Sequence, residues 1–329
     1  MPSDSSPHGL PSLPSGDPDG SIHQTSAVFT WAGLRPLMLC ALAVWLLVLG
    51  IVATRWCLQP TRNSVYPLFV VTGEKWTRGA NVYEPVGDYR YSPAAAAGFS
   101  ILSRLSPALG ATLWACFNIF LFFFGFLFWA RSALPGRRDQ DFIAVLLLLA
   151  TPMMIGNFNN LQANPAVFGC MLGAIAAVVT RRFTLAAVLL AIAIYLKIYP
   201  LALALVLLVL YPRQLSWRLA LALLVGAAFP FAFQTPHYAA GSYLQWLDNL
   251  RADQRNEFPV KDAYRDLALL WRVWGDRAYV AGQQLAHYVS GYPKQIDDHT
   301  TFNQQIYTLL QLAGAALVGV VTLWSRFWT

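Results

Sequence analysis

Charge is scarce in this 329-residue chain: only 12% of its residues are charged, whereas 57% are hydrophobic. A soluble domain carries about 25% charged residues, so this composition is typical of a membrane protein. Twelve Trp, fourteen Tyr and twenty Phe fit the aromatic belts at bilayer surfaces. The net charge of +7 does not indicate nucleic-acid binding, because the basic residues fall mainly in short loops between apolar runs.

Several chemical signatures are also missing. The four cysteines share no ligand spacing, so neither a disulfide framework nor a metal site is predicted. There is no Gly-rich phosphate loop after a strand, no His-rich metal spacing and no Gly-x-Ser-x-Gly turn. A cytosolic nucleotide-sugar enzyme and an ATPase are therefore unsupported, and we expect neither a cofactor nor a metal.

The chain divides into a tail and one membrane domain. Residues 1–28 are rich in Pro, Ser, Gly and Asp, and we predict disorder because they bury too little apolar area to offset chain entropy. They lack the basic start and short apolar core of a cleaved signal peptide. Residues 29–329 are predicted to form a multi-pass domain with external loops at about 56–109 and 235–302.

Long apolar runs predict an all-α transmembrane bundle of about eight spans, since a spanning helix needs about 20 mostly apolar residues. The predicted spans are 37–54, 111–130, 142–155, 163–180, 184–196, 201–210, 217–233 and 306–324. Residues 65–76 have the pattern of a short amphipathic helix lying on the membrane. The apolar stretch 93–105 is too short to span comfortably and is interpreted as an external or re-entrant helix.

Arginines in the short loops predict the orientation, because such loops are cytoplasmic. The loops concerned carry Arg131, Arg137, Arg138, Arg181, Arg182, Arg213 and Arg218. They place residues 157–164, Lys197 and the loop 235–302 outside, with both ends of the chain inside. This orientation requires that residues 93–105 do not cross the bilayer. If they cross it, the number of spans rises by one. No internal repeat is evident, which weakens the case for a transporter built from inverted repeats.

The first candidate cluster lies in the first external loop, at Tyr89, Arg90 and Tyr91. This polar, aromatic stretch lies between apolar runs, and packing gives it no reason to lie at a bilayer surface. We interpret it as the lining of a site for a lipid-borne substrate. The Arg90 guanidinium would bind a phosphate head group with two hydrogen bonds.

Two carboxylates in this loop, Glu74 and Asp88, are candidates for the base that deprotonates an attacking hydroxyl. The structural alternatives stay open. Glu74 lies four residues before Arg78, which is the spacing of an ordinary surface ion pair on a helix. Asp88 and Arg90 can equally flank a turn before Pro93.

A second cluster is the stretch 157–164, which holds five carboxamides between two spans. Amides close to the membrane are costly unless they are paired. Gln162 and Asn164 are predicted to hydrogen-bond sugar hydroxyls, or else to cap helices, since Asn164 followed by Pro165 is typical of a helix start.

Two further cations are candidates for binding a phosphate. Lys197 lies between two apolar runs, and an ionisable residue at membrane depth is a functional candidate. The alternative is a lysine that only snorkels to the interface. In the late loop, the amphipathic segment 264–272 contains Asp266 and Arg272. Arg272 would reach a phosphate, or the segment is simply an aromatic interfacial helix with solvated charges.

In order and spacing, these motifs resemble the polyprenol-phosphate-mannose-dependent α-1,2-mannosyltransferase-like family of the GT-C glycosyltransferase superfamily. The family's Gly-x-x-Leu-Tyr is similar to Gly79 through Tyr83, and its Tyr-Pro-Pro to Tyr91 through Pro93. Its Gly-Gln-x-Asn corresponds to residues 161–164, with Leu161 in place of Gly. Its Lys-x-x-Pro corresponds to 197–200, its Ser-x-x-Tyr-Trp is echoed imperfectly at 242–246, and Arg272 corresponds to its closing arginine. The likeness covers roughly residues 35–275.

The resemblance has two departures that concern chemistry. The family carries a catalytic aspartate four residues before a Tyr that corresponds to Tyr66, but Arg62 stands in that position here. The family's Asn-Gln-Ser before the closing arginine becomes 264–266. If the protein is active, another acid must serve, and Glu74, Asp88 and Asp266 are the candidates.

What the resemblance implies is a membrane glycosyltransferase. It would move a hexose, mannose in the family, from a polyprenyl-phosphate donor to a lipid, glycan or protein acceptor on the extracytoplasmic face of the cytoplasmic membrane. The anomeric centre would invert in a single displacement. Membrane lipids are expected partners and nucleic acid is not. The alternative is a catalytically inactive relative that binds or transports a lipid-linked sugar.

Overall fold

The computed structural model describes residues 35–62, 64–85, 89–134, 140–252 and part of 312–322. These residues form helices and no strand, which confirms the all-α prediction for them. The helices are α1 (Pro36–Leu58), α2 (Tyr66–Arg78), α3 (Pro93–Leu102), α4 (Pro107–Ser132), α5 (Gln140–Asn159), α6 (Asn164–Val179), α7 (Phe183–Leu196), α8 (Pro200–Leu210), α9 (Pro212–Ala228) and α10 (Pro236–Ala252). A 3-10 turn, Phe229–Ala232, continues α9.

Four of the helices in the described ranges are long and apolar enough to cross a bilayer: α1, α4, α5 and α9 with its 3-10 turn. The apolar helices α3, α6, α7 and α8 are shorter. With 10 residues, α3 is about 15 Å long, half of a hydrocarbon core of about 30 Å. The predicted count of about eight spans is thus confirmed for four only. The predicted last span, 306–324, lies largely outside the described residues.

Helix α1 lies beside α5, and both run in the same direction. The indole N–H of Trp45 donates to the Leu147 carbonyl (3.0 Å), and that of Trp56 donates to the Phe158 carbonyl (3.1 Å). Both tryptophans are buried. Since lipid offers no hydrogen-bond partner, each indole finds one in the neighbouring helix.

Glycines bring the backbones of α4 and α6 into contact. A methyl group on Gly125 would overlap the Gly169 carbonyl, and one on Gly169 would overlap the Leu121 carbonyl. Gly169 and Gly173 form a Gly-x-x-x-Gly pattern, which allows close packing of membrane helices. Helix α6 packs in turn on α7, and α7 packs on α9. Helices α4, α6, α7 and α9 therefore pack side by side in a row, and the other helices pack against this row.

The helix directions gather the basic loops at one end of the bundle, here named the arginine end. Arg35, before α1, pairs with Asp141 of α5 at 2.6 Å. Arg182, between α6 and α7, lies over the Phe128 ring of α4, 5.9 Å from its centroid. The described arginines at this end are Arg35, Arg131, Arg181, Arg182, Arg213 and Arg218. The opposite end, where α2, α3 and α10 meet the starts of α4 and α6, is named the aromatic end.

The short amphipathic helix predicted at 65–76 is confirmed as α2. Its buried face presents Tyr66, Phe69 and Trp76, and packs against α3. Glu74 and Arg78 lie on the exposed face. Phe69 follows Tyr66 by three residues and Trp76 follows Phe69 by seven, which is the spacing of a helix with one apolar stripe.

We predict that Gly169→Ala lowers the stability of the protein by about 1–3 kcal/mol, because the new methyl group forces α4 and α6 apart. Thermal unfolding in detergent measures the effect. Gly50→Ala in α1 is the control, since a methyl group there meets no atom within 4 Å. An unchanged melting temperature for Gly169→Ala would contradict the close approach of the two backbones.

Candidate active site at the aromatic end

Four aromatic rings form the floor of the aromatic end. Phe69 of α2 stacks on Phe99 of α3 at 4.2 Å between centroids. The Trp114 ring of α4 lies 5.4 Å from Phe69 and 5.3 Å from Phe99, and the Tyr91 ring lies 5.3 Å from Phe69. Each such pair contributes about 0.5–1.5 kcal/mol beyond area burial. The cluster therefore packs α2, α3, α4 and the segment before α3 against one another.

Gly79 directs the chain from α2 back towards this cluster. Its φ of +70° is the left-handed conformation that glycine adopts without strain. The N–H of Gly79 donates to the Trp76 carbonyl (3.1 Å), and the next N–H donates to the Lys75 carbonyl (2.9 Å), which closes the helix in a Schellman motif. Four residues later, the Tyr83 hydroxyl donates to the Tyr91 carbonyl at 3.2 Å.

Ser92 joins the start of α3 to the end of α7. Its hydroxyl accepts from the Ala95 N–H (3.3 Å) and donates to the Tyr195 carbonyl (2.7 Å). Two residues after Tyr195, Lys197 ends α7 with an extended backbone. Its ammonium lies 4.9 Å from the centroid of the Tyr91 ring. This cation–π contact brings together two residues that are 106 positions apart.

Helix α10 holds the segment that carries Tyr89 and Arg90. The Trp246 indole donates to the Arg90 carbonyl at 3.1 Å, and the Asn249 amide donates to the Tyr89 carbonyl at 3.0 Å. Asn249 is buried, and Tyr89 is only 1% exposed. Tyr89 is therefore a packed core residue, whereas Arg90 is half-buried.

Burial raises the pKa of Tyr83, Tyr89 and Tyr91 above the usual value for tyrosine. The cause in each case is the loss of solvation of the charged phenolate. These phenols stay protonated at neutral pH and so act as hydrogen-bond donors rather than as bases. The neutral Tyr91 ring also presents its negative face to Lys197.

An apolar groove of about 920 Å³ runs between α3, α4, α7 and α9. Ala94 and Leu196 line it near the aromatic end, three residues from Tyr91 and one residue from Lys197 respectively. Thr184 lines it near the arginine end. Its volume is at the upper end of the range for ligand pockets, about 300–1,000 Å³.

The amide-rich stretch 157–164 forms a tight turn between α5 and α6. Leu161 has a φ of +53°, a left-handed conformation that costs a branched residue about 1–2 kcal/mol. Its carbonyl accepts from the Trp114 indole at 2.8 Å. Asn164 donates to the Asn157 side-chain oxygen (2.8 Å) and to that of Gln162 (2.6 Å). Three of the five amides thus bond to one another, while the Asn159 side chain accepts from Arg55.

Helix α6 begins at Asn164, as predicted, but Asn164 does not cap it. The N-cap position is Ala163, which makes no side-chain cap hydrogen bond. Instead, the buried Asn118 side chain of α4 accepts from the Ala166 N–H at 3.2 Å. A carboxamide from another helix therefore satisfies a backbone donor of the first turn.

The structure brings some of the predicted site residues together and separates others. Tyr91 and Lys197 are in contact, and Arg90 is next to Tyr91 in the chain. Gln162 and Asn164 lie at the same end, beyond Trp114. Glu74 is on the exposed face of α2 and lies 3.6 Å from Arg78, the surface pair that its spacing allows. Asp88, Asp266 and Arg272 lie outside the described residues.

Arg62, at the position of the resembling family's catalytic aspartate, is exposed in the turn between α1 and α2. Its guanidinium donates to the Gln59 side-chain oxygen at 3.1 Å, and its carbonyl accepts from Arg55. Tyr66, four residues later, is fully buried. The side chain at this position of the turn is therefore a hydrogen-bond donor and not a proton acceptor.

A family model described as glycosyltransferase family 87 matches residues 89–329, which is more than half of the chain. The chain belongs to glycosyltransferase family 87. The resemblance seen in the sequence is thereby confirmed at the level of a glycosyltransferase family. No curated protein and no solved structure matches the chain.

The family 87 match begins at Tyr89, so it includes the Tyr91–Lys197 contact, the amide turn and α10, but excludes α1 and α2. Membership of this family together with four apolar helices indicates a membrane protein that acts as a transferase. The matched residues include both parts of the candidate site, the segment before α3 with Tyr91 and the end of α7 with Lys197.

Several residues of this candidate site are absent from the site residues predicted from the sequence. Ser92 and Trp114 connect the elements, and Asn118 caps α6 from another helix. The role of Asn118 could have been predicted, since a carboxamide inside an apolar span is costly unless it bonds to another helix. The Trp246 and Asn249 bonds had no such signal, because their partners are carbonyls more than 150 positions away.

We predict that Asn249→Leu loosens the segment 89–92, since it leaves the buried Tyr89 carbonyl without its donor at a cost of about 1–3 kcal/mol. Hydrogen exchange of the amides in 89–95 should become faster. Asp248→Ala, at the adjacent exposed position of α10, should leave that exchange unchanged. Equal exchange in the two variants would show that α10 does not hold the segment.

Proposed function

We propose that this family 87 protein is an integral-membrane hexosyltransferase that uses a polyprenyl-phosphate-linked sugar, with mannose as the first sugar to test. The observation that carries the proposal is the position of Lys197. Its ammonium faces Tyr91, and the adjacent Leu196 lines the mouth of the apolar groove. A cation beside a long apolar groove matches a ligand with one phosphate and a hydrocarbon chain.

The groove suits the isoprenoid chain of such a donor. Its lining residues come from α3, α4, α7 and α9 and are mostly apolar. Burying a hydrocarbon chain there is favourable by about 0.8 kcal/mol for each CH₂ group removed from water. With the chain in the groove, the phosphate comes to the aromatic end, where Lys197 and Arg90 are the proposed ligands of the phosphate. Arg272, which lies outside the described residues, is the third proposed ligand on the basis of the sequence.

The reaction follows from this placement. An acceptor hydroxyl attacks the anomeric carbon, the bond from that carbon to the phosphate oxygen breaks, and polyprenyl phosphate leaves with the electron pair. Lys197 stabilises the negative charge that develops on the phosphate, and a carboxylate takes the hydroxyl proton. Attack from the opposite side inverts the anomeric centre. Gln162 and Asn164 are proposed to orient the sugar or to hold the turn that does so.

The proposed location is the extracytoplasmic face of the cytoplasmic membrane. The arginines beside the short connections that follow α4, α6 and α8 (Arg131, Arg181, Arg182 and Arg213) lie at the end of the bundle opposite to Tyr91 and Lys197, and positively charged short loops stay on the cytoplasmic side. The acceptor, a lipid, a glycan or a protein, would then meet the donor at the outer surface.

We predict that Lys197→Met lowers the kcat of transfer by about 10²–10³, because the departing phosphate loses a fixed cation. The measurement is transfer from a labelled polyprenyl-phosphate mannose by the purified protein. Lys75→Met is the matched control at the same end, where the lysine donates to the Glu84 carbonyl, and it should retain activity within about threefold. Full activity of Lys197→Met would overturn the assignment.

Among the three predicted acids, we propose Asp88 as the base. Glu74 lies on the exposed face of α2 with Arg78, whereas the Tyr91 ring contacts Phe69 on the buried face. Asp88 is three residues before Tyr91 in the chain, and Tyr91 contacts Lys197.

Asp88→Asn is expected to lower kcat by about 10²–10⁴ while donor binding is retained, since the base acts only on the acceptor proton. Glu74→Gln, the control, should transfer normally. If Asp266→Asn loses activity and Asp88→Asn does not, the base is Asp266 and our assignment is wrong.

A second candidate function has one observation in its favour, the guanidinium of Arg62 at the position of the resembling family's base. A relative without a base would bind or transport a lipid-linked sugar and not transfer it. Saturable binding of the polyprenyl-phosphate donor, without turnover for any sugar or acceptor, would favour this function over the transferase.

A further inference from the structure

The apolar groove extends to the arginine end, well beyond the site of the proposed chemistry. Thr184 and Leu196, near opposite ends of α7, both line it. They are 12 residues apart in the sequence, so the groove follows the helix for about 18 Å. This is more than half of a hydrocarbon core of about 30 Å. The groove therefore reaches the leaflet opposite to the one that Lys197 faces.

A second cation, Arg218, lines the groove at its arginine end. Its guanidinium lies 4.4 Å from the centroid of the Trp217 ring, which also lines the groove, and it donates to the Gln214 carbonyl. No carboxylate of the described residues forms an ion pair with Arg218. Arginine binds phosphate well, and tryptophan is enriched at the level of lipid head groups.

The length of the groove separates the two cations. Gly226 of α9 lies against Tyr195, two residues before Lys197, whereas the Arg218 guanidinium reaches the Gln214 carbonyl. Gln214 and Gly226 are 12 residues apart, about 18 Å along the helix, so a single phosphate cannot contact both cations. If the phosphate of one lipid is at Lys197, the partner of Arg218 must be a second anion. The anion available at that depth, attached to an apolar chain, is the head group of a lipid in the leaflet at the arginine end.

We propose that the arginine end of the groove binds an anionic glycerophospholipid, with its phosphate on Arg218 and one acyl chain between α4, α7 and α9. The site itself does not require the proposed transferase activity. One consequence rests on that function: the acyl chain and the isoprenoid chain of the donor enter the same groove from opposite leaflets. Anionic phospholipid therefore competes with the donor.

The test is photo-labelling of the full chain in phosphatidylcholine nanodiscs. The probe is phosphatidylglycerol with a diazirine on its acyl chain, and mass spectrometry locates the adducts. We expect adducts on groove residues such as Phe117 and Val188. Arg218→Gln should reduce their yield roughly tenfold or more, because a charge-assisted hydrogen bond is lost. Arg213→Gln, an exposed arginine of the same helix that does not line the groove, should leave the yield unchanged.

A second pair of variants tests the groove without touching a charge. Ala222→Trp fills the groove and should abolish labelling at Phe117 and Val188, whereas Ala220→Trp, exposed on the same helix and outside the lining, should not. The melting temperature of each variant is measured alongside. Unchanged labelling in Ala222→Trp, or equal labelling by the phosphatidylcholine analogue with no effect of Arg218→Gln, would overturn the proposal. So would Arg218-dependent labelling by a diazirine polyprenyl phosphate but not by phosphatidylglycerol.

Because labelling needs neither donor nor turnover, its outcome is separate from that of the transfer assay. Unlabelled polyprenyl phosphate should reduce the labelling in a dose-dependent way. Labelling that is Arg218-dependent but insensitive to polyprenyl phosphate would contradict the shared groove and leave the phospholipid site standing.

Discussion

Backbone carbonyls at the ends of buried helices and in buried turns need donors from the protein, because lipid supplies none. In the described residues, four tryptophan indoles donate to carbonyls of another element, and three of those carbonyls lie at a helix end or outside a helix. The bonds join Trp45 to Leu147, Trp56 to Phe158, Trp114 to Leu161 and Trp246 to Arg90. The last two hold the turn between α5 and α6 and the segment before α3. Two of these four bonds therefore position elements of the candidate site.

At three positions of the sequence motifs, the folded chain shows a backbone conformation or a hydrogen bond that bears on the residue found there. Gly79 has the positive φ that ends α2 and turns Tyr83 towards Tyr91. Ser92 replaces a proline of the resembling motif and uses its hydroxyl to join α3 to α7. Leu161 replaces a glycine at a position with positive φ. Its strain of about 1–2 kcal/mol is offset by burial of its side chain, which is worth about 1.5–3 kcal/mol.

Much of the architecture was predictable from patterns of a single segment. Apolar run length indicated α1, α4 and α5, and the spacing of aromatic residues indicated that α2 is amphipathic. The arginine loops were predicted to share one side, and the helix directions bring them to one end. Lys197 stood out as a charge at membrane depth. Each of these features depends on local composition, which can be read without knowing which segments pack together.

Other features were beyond prediction because they depend on two distant segments at once. The spacing of Glu74 and Arg78 left two interpretations open, and only the packing of α2 on α3 decided which face Glu74 occupies. The cap of α6 comes from Asn118, which is 48 positions away. The groove needs four helices to exist at all.

The sequence by itself determined a helical membrane chain, the common side of its arginine-carrying short loops and the residue types of its motifs, because hydropathy and charge are properties of each residue alone. Only the tertiary structure decided that Tyr91 meets Lys197, that α10 clamps the segment before α3, and that a groove joins the two ends. The physical reason is that packing and hydrogen bonding between helices depend on the distance between residues in space, and a single sequence does not record that distance.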